Sequence, residues 1–115
     1  MRQLYACTCL TPVALIFATS PLQAETVVST ARTTAISTST ANAGALDNIR
    51  ISTAGSVKPS SGVAVTIDSA NTVINEGAIQ ITGANDSAGI QAIAGSTGAI
   101  TNSGSITIDE TYTPT

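Results

Sequence analysis

From Asp47 onward the chain consists of short runs in which apolar and polar residues alternate. Val63, Val65 and Ile67 enclose Ala64 and Thr66, and Ile79-Gln80-Ile81 and Ile106-Thr107-Ile108 follow the same rule. Alternation with a period of two places the aliphatic side chains on one face of an extended strand. Clusters of Gly, Asn, Ser and Asp separate the runs and predict turns. A longer spacing is superimposed on this alternation. Ile51-Ser-Thr-Ala-Gly55-Ser-Val57 recurs as Val73-Ile-Asn-Glu-Gly77-Ala-Ile79 and again as Ile100-Thr-Asn-Ser-Gly104-Ser-Ile106, at offsets of 22 and 27 residues. Repeats in that range predict a solenoid, in which each copy is one rung and its neighbours supply the core.

A rung of 27 residues holds roughly 90 Å of extended chain, enough for one circuit of a three-sided coil. Stacked rungs would align Val57, Ile79 and Ile106 in one interior column, and Ile51, Val73 and Ile100 in another. Gly55, Gly77 and Gly104 mark a turn that needs positive φ or close backbone approach. Asn75 and Asn102 are placed to stack as an amide ladder. An ungapped alignment of the second and third copies also matches Gly62 with Gly89, Val63 with Ile90 and Ser69 with Ser96. A β-sandwich would use similar short strands but would not require Gly and Asn at a fixed rung length. The expected fold is therefore all-β: a right-handed parallel β-helix of about three rungs over residues 47–115. Pro59 stands where the later copies have Ile81 and Ile108, which gives the first copy the look of an N-terminal cap. The last copy runs into a polar tail without one, leaving an open edge prone to self-association.

Two segments precede the repeats. Arg2, an apolar run from Leu10 to Ala18 broken by Thr11 and Pro12, and Leu22-Gln23-Ala24 before Glu25 have the order of a secretory signal peptide over residues 1–24. Residues 25–46 are rich in Thr, Ser and Ala and read as a flexible leader with one strand around Thr33 to Ser37.

Composition narrows the chemistry. Both cysteines, Cys7 and Cys9, lie in the signal segment, so the exported chain would fold without disulfides. Beyond it, Arg32, Arg50 and Lys58 face seven acidic residues, and Tyr112 is the one aromatic. That balance argues against nucleic-acid binding. With no His in the chain, a Ser-His-Asp site is excluded and no transition-metal ligand set is apparent. Asn85-Asp86 in Gly83-Ala-Asn-Asp reads as a turn rather than a calcium loop. Gly95-Ser-Thr-Gly98 lacks the Lys-Ser/Thr of a phosphate loop. Asp68, Glu76, Asp86, Asp109 and Glu110 form no acidic column in the aligned copies, as a β-helical polysaccharide lyase or hydrolase would need. No catalytic, cofactor-binding or metal-ligating residue is therefore assigned, and no small-molecule substrate is expected.

Asp47-Asn-Ile-Arg-Ile51, Gly55-Ser-Val-Lys-Pro59, Gly62-Val-Ala-Val-Thr-Ile67, Val73-Ile-Asn-Glu-Gly-Ala-Ile-Gln-Ile81 and the closing run from Ile100 to Thr115 resemble the N-terminal passenger region of bacterial autotransporters. The resemblance spans the signal segment and nearly all of residues 25–115. It implies an exported β-helical passenger with a structural and adhesive role, displayed at the cell surface by a C-terminal outer-membrane barrel. No run of barrel strands occurs in this sequence, so a fragment without its translocating barrel is expected, with a periplasmic destination as the alternative to the surface. The competing expectations are the first rungs of a β-helical polysaccharide-degrading enzyme and a nonfunctional secreted fragment.

Overall fold

The computed structural model describes residues 24–110. The expected signal peptide, apart from Ala24, and the tail from Thr111 to Thr115 lie outside the described residues. Eleven strands follow one another: β1 (Glu25–Val28), β2 (Ala31–Arg32), β3 (Ile36–Ser37), β4 (Asn48–Ile51), β5 (Ser56–Val57), β6 (Val63–Ile67), β7 (Val73–Asn75), β8 (Ala78–Thr82), β9 (Ala88–Ala92), β10 (Ile100–Asn102) and β11 (Ser105–Asp109). They form three sheets, ordered β1-β4-β7-β10, β2-β5-β8-β11 and β3-β6-β9. Every pairing between these strands is parallel. A chain that visits three sheets in rotation and returns to each in parallel is a β-solenoid. The described residues make three full turns and the first two strands of a fourth. A sandwich is built from antiparallel sheets, so the parallel register rules it out.

The core is a stack of aliphatic columns. Val57 pairs with Ile79 and Ile79 with Ile106, as the alternation predicts. Ile49, Ile51, Val57, Val65, Ile67, Val73, Ile79 and Ile81 are fully buried. Each such side chain contributes roughly 1.5–3 kcal/mol on leaving water.

The second expected column is corrected. Ile49, not Ile51, pairs with Val73, which pairs with Ile100; Ile51 pairs with Asn75. The cause is the corner between β4 and β5. Gly55 N–H donates to Ser52 O at 2.8 Å, closing an extra turn there, whereas Glu76 and Gly77 alone join β7 to β8. The third face also departs from the ungapped alignment. Val63 pairs with Ala88 and Val65 with Ile90, so equivalent residues on this face are 25 apart. The 27-residue period holds from β7 to β10 and from β8 to β11, where Val73 meets Ile100 and Ala78 meets Ser105.

Residues 25–37, expected to be a leader, instead build the first turn. Few large apolar residues are needed there, because β1, β2 and β3 pair along their length with β4, β5 and β6. Val28 and Ile36 supply the buried contacts. Pro59 accordingly lies in the second turn, inside the stack, and is buried. It follows the two-residue strand β5, where a missing N–H shortens the ladder.

Candidate functional site

The corner between the first and second sheets carries the repeated motif. A Cβ on Gly55 would lie 1.9 Å from Val28 O. One on Gly77 would lie 2.3 Å from Gly55 O, and one on Gly104 would lie 2.2 Å from Gly77 O. None of the three has positive φ, in contrast to Gly44, Gly62, Gly83 and Gly95. Of the two expected reasons for glycine, close backbone approach is the one that applies. Beside this glycine column sits the asparagine ladder. Asn75 is fully buried. Its Nδ2 donates to Asn102 Oδ1 at 2.7 Å and to Ser105 O at 3.1 Å, and its Oδ1 accepts from Gly77 N–H at 3.2 Å. Every hydrogen-bonding atom of the carboxamide has a partner, as burial demands. The ladder stops downward at Ile51, which occupies the same column.

A charge cluster crosses three turns on the outside of the first sheet. Arg50 Nε donates to Glu25 Oε2 at 2.5 Å and Nη1 to Glu76 Oε2 at 2.9 Å. Hydrogen bonds to Glu25 and then Glu76 hold the guanidinium pKa still further above its ordinary value. No spacing in the sequence announces this grouping, since it requires Glu25 to belong to a strand and the β4–β7 register to be known. Two carboxylates bound to one guanidinium form a clasp between turns. They do not have the free pair that an acid–base mechanism needs.

A polar corner joins the third sheet to the first. Asp68 accepts hydrogen bonds from Ser39 Oγ at 2.6 Å, Ser39 N–H at 2.8 Å and Thr38 Oγ1 at 3.1 Å. The Ser39 hydroxyl above all lowers the Asp68 pKa below its ordinary value of 3.8. Ser69 Oγ reaches both Thr38 Oγ1 and Asn71 Oδ1, and Asn48 Oδ1 accepts from Thr72 N–H at 2.8 Å. Buried Asp47 accepts from Thr26 Oγ1 at 2.7 Å and from Asn48 N–H at 3.0 Å. These contacts fasten the excursion from Thr38 to Leu46 against the coil.

Asp86 precedes β9 and Asp109 ends β11. Asp86 has φ 54° in an exposed turn, where Ser87 Oγ donates to Asn85 O at 3.3 Å. Asp109 pairs with Thr82 at the end of β11, as aligned from the sequence. Among the described residues no three His, Cys, Asp or Glu side chains gather as metal ligands do. Gly95 and Ser96 form a tight turn in which Ser96 Oγ donates to Ile93 O at 2.6 Å.

Shallow concavities mark the surface of the described residues. A groove of about 470 Å³ on the second face is lined by Thr33, Lys58, Pro59, Ser60, Gln80 and Thr82. A smaller one, about 160 Å³, lies by Arg32, Ile36, Ser37 and Thr40. Arg32 is turned onto its own loop, donating to Thr34 O and Ala35 O. No family model, curated protein or solved structure matches the chain.

Proposed function

We propose that this chain is an exported, non-catalytic β-solenoid segment of the kind carried as a passenger by autotransporters, with a structural and adhesive role at the bacterial surface. The observation that carries this reading is the in-register parallel stack itself. Its corner is built from Gly55, Gly77, Gly104 and the Asn75–Asn102 bond, devices that repeat from turn to turn and serve the stack as a whole. Outward positions such as Arg50, Thr66, Gln80 and Thr107 are polar, so each added turn extends a hydrophilic face. Such a surface suits multivalent contact along a rod more than binding of one small molecule in a pocket.

The order of charged start, apolar run and Leu22-Gln-Ala24 supports export with cleavage before Glu25. Glu25 is also the first residue of β1, so a cut there would leave the whole first turn intact. Expression of the full chain in a Gram-negative host, followed by fractionation and N-terminal sequencing, tests the reading. The expected product lies outside the cytoplasm and begins at Glu25. A cytoplasmic product that retains Met1 would overturn export and, with it, the surface role.

A further inference from the structure

The second face carries polar side chains that the coil itself does not use. β2, β5 and β8 stack in parallel. One residue on from the Arg32–Val57 and Val57–Ile79 pairs, the same register brings Thr33, Lys58 and Gln80 into line on successive turns, about 4.8 Å apart. Ser60 and Thr82 follow two residues later, on the outward side again. With buried Pro59, these residues line the groove of about 470 Å³, a volume within the usual range of ligand sites. The groove lies on the flank of the coil and not at an end of the stack. Gln80 has Thr107 paired above it, and Thr82 has Asp109.

What these residues share is unused hydrogen-bonding capacity. The side chains of Thr33, Lys58, Ser60, Gln80 and Thr82 bond to no other described residue. The cations make the contrast plain. Arg32 donates to Thr34 O and Ala35 O, and Arg50 is held by Glu25 and Glu76. Lys58 is exposed and presents its charge to the groove. An ammonium with three donors, a carboxamide that donates and accepts, and the hydroxyls of Thr33, Ser60 and Thr82 match a ligand with one negative charge and several hydroxyls. A polyanion would need more cations than one. A neutral sugar would rely on stacking against a ring, and residues 24–110 contain no aromatic side chain.

We propose that the groove binds an acidic sugar within a surface glycan, its carboxylate against the Lys58 ammonium and its hydroxyls against Gln80, Ser60 and Thr82. Lysine suits this task because it offers a point charge to one carboxylate without demanding a bidentate fit. Asp109, stacked on Thr82, sets the direction. Its charge repels the ligand's carboxylate from that end and accepts from sugar hydroxyls instead. Uronic and sialic acids share the required chemistry, a carboxylate on a polyhydroxylated ring. The inference takes the adhesive role as its premise and gives that role a ligand class.

Titration of the purified, isotope-labelled protein, followed through its amide resonances, tests the site with sialyllactose, a glucuronate-terminated disaccharide, lactose and acetate. An acidic sugar is expected to bind with roughly millimolar affinity and to move the signals of Lys58, Ser60, Gln80 and Thr82. Lactose and acetate should bind at least about tenfold more weakly, and K58Q should weaken the acidic sugars by about the same factor. Lys58 is exposed, so the melting curve of K58Q should match the wild type. Binding of one acidic sugar alone supports the site and tells a uronate from a sialate. No binding of either, equal affinity for lactose or for acetate, or undiminished binding by folded K58Q overturns the proposal. Should K58Q fail to fold, added salt decides: it should weaken an exposed charge pair, and a salt-independent affinity overturns the role of Lys58. Secretion plays no part in the titration, so its failure leaves the export reading to fractionation and N-terminal sequencing.

Discussion

Asn75 donates a carboxamide hydrogen to Asn102 Oδ1 one turn above, at 2.7 Å, and no water reaches Asn75. The two residues resemble each other in sequence context but differ in surroundings, because Asn102 is exposed. Asn75→Leu keeps the volume but strands Gly77 N–H and removes the carboxamide's bonds to Asn102 Oδ1 and Ser105 O. The expected loss is about 1–3 kcal/mol, the usual cost of orphaned buried polar groups. Asn102→Leu should cost less, since water can replace its contacts. Urea unfolding of both variants measures the difference, and equal losses would contradict the ladder's asymmetry.

Glycines in the chain fall into two physical classes that substitution separates. Gly77→Ala drives a Cβ to 2.3 Å from both Gly55 O and Ser52 O, which are backbone atoms of the turn below. The turns must part for it to fit. Gly62→Ala meets open space but has φ +78°, and so carries only the left-handed backbone penalty of about 1–2 kcal/mol. Thermal melting should rank Gly77→Ala well below Gly62→Ala. In hydrogen exchange, the amides of β5 and β8 are expected to lose protection in the first variant alone.

Sequence patterning found the stack wherever residues keep a constant distance from the corner glycine. The column of Val57, Ile79 and Ile106 is legible because each stands two residues after its glycine, and the Asn75–Asn102 pair because each stands two residues before. The reading failed where a corner changes length. Ile51 matches Val73 in the motif, but the turn from Ser52 to Gly55 moves it under Asn75 and brings Ile49 into its place. The first turn was missed for a different reason. Its Thr- and Ser-rich strands carry a weak apolar signal, and they are fixed by pairing with β4, β5 and β6 more than by their own burial. The Glu25–Arg50–Glu76 clasp draws on three separate turns, so no local spacing could announce it.

Asp68 ties the Thr38–Leu46 excursion to the coil, and that tie depends on its charge. Hydrogen bonds from Ser39, with a further one from Thr38, hold its pKa below the ordinary value of 3.8. A carboxyl with a lower pKa when folded stabilises the fold fully above its unfolded pKa. That contribution fades as pH falls toward the folded pKa. Amides from Thr38 to Leu46 are therefore expected to lose hydrogen-exchange protection below about pH 4, ahead of those in β4 and β7. In Asp68→Asn they should be less protected already at neutral pH and show little further change on acidification. An acid response that survives in Asp68→Asn would assign it to another carboxylate.

Adjacent residues on β8 provide the sharpest test of register. Ile79 lies between Val57 and Ile106 in the interior column and is fully buried. Gln80 points outward, pairs with Thr107 and shares the surface groove with Lys58. Ile79→Asp removes the aliphatic contact and forces a carboxyl into the core without a partner, at an expected cost of about 3 kcal/mol or more. Gln80→Asp places the same carboxyl in water within reach of an ammonium, and a change within about 0.5 kcal/mol is expected. Because a shift of one residue would exchange the two faces of the strand, the two variants must differ in denaturation midpoint if the register is right. Similar midpoints, or a greater loss from Gln80→Asp, would overturn the assignment of β8 and of the core columns aligned on it.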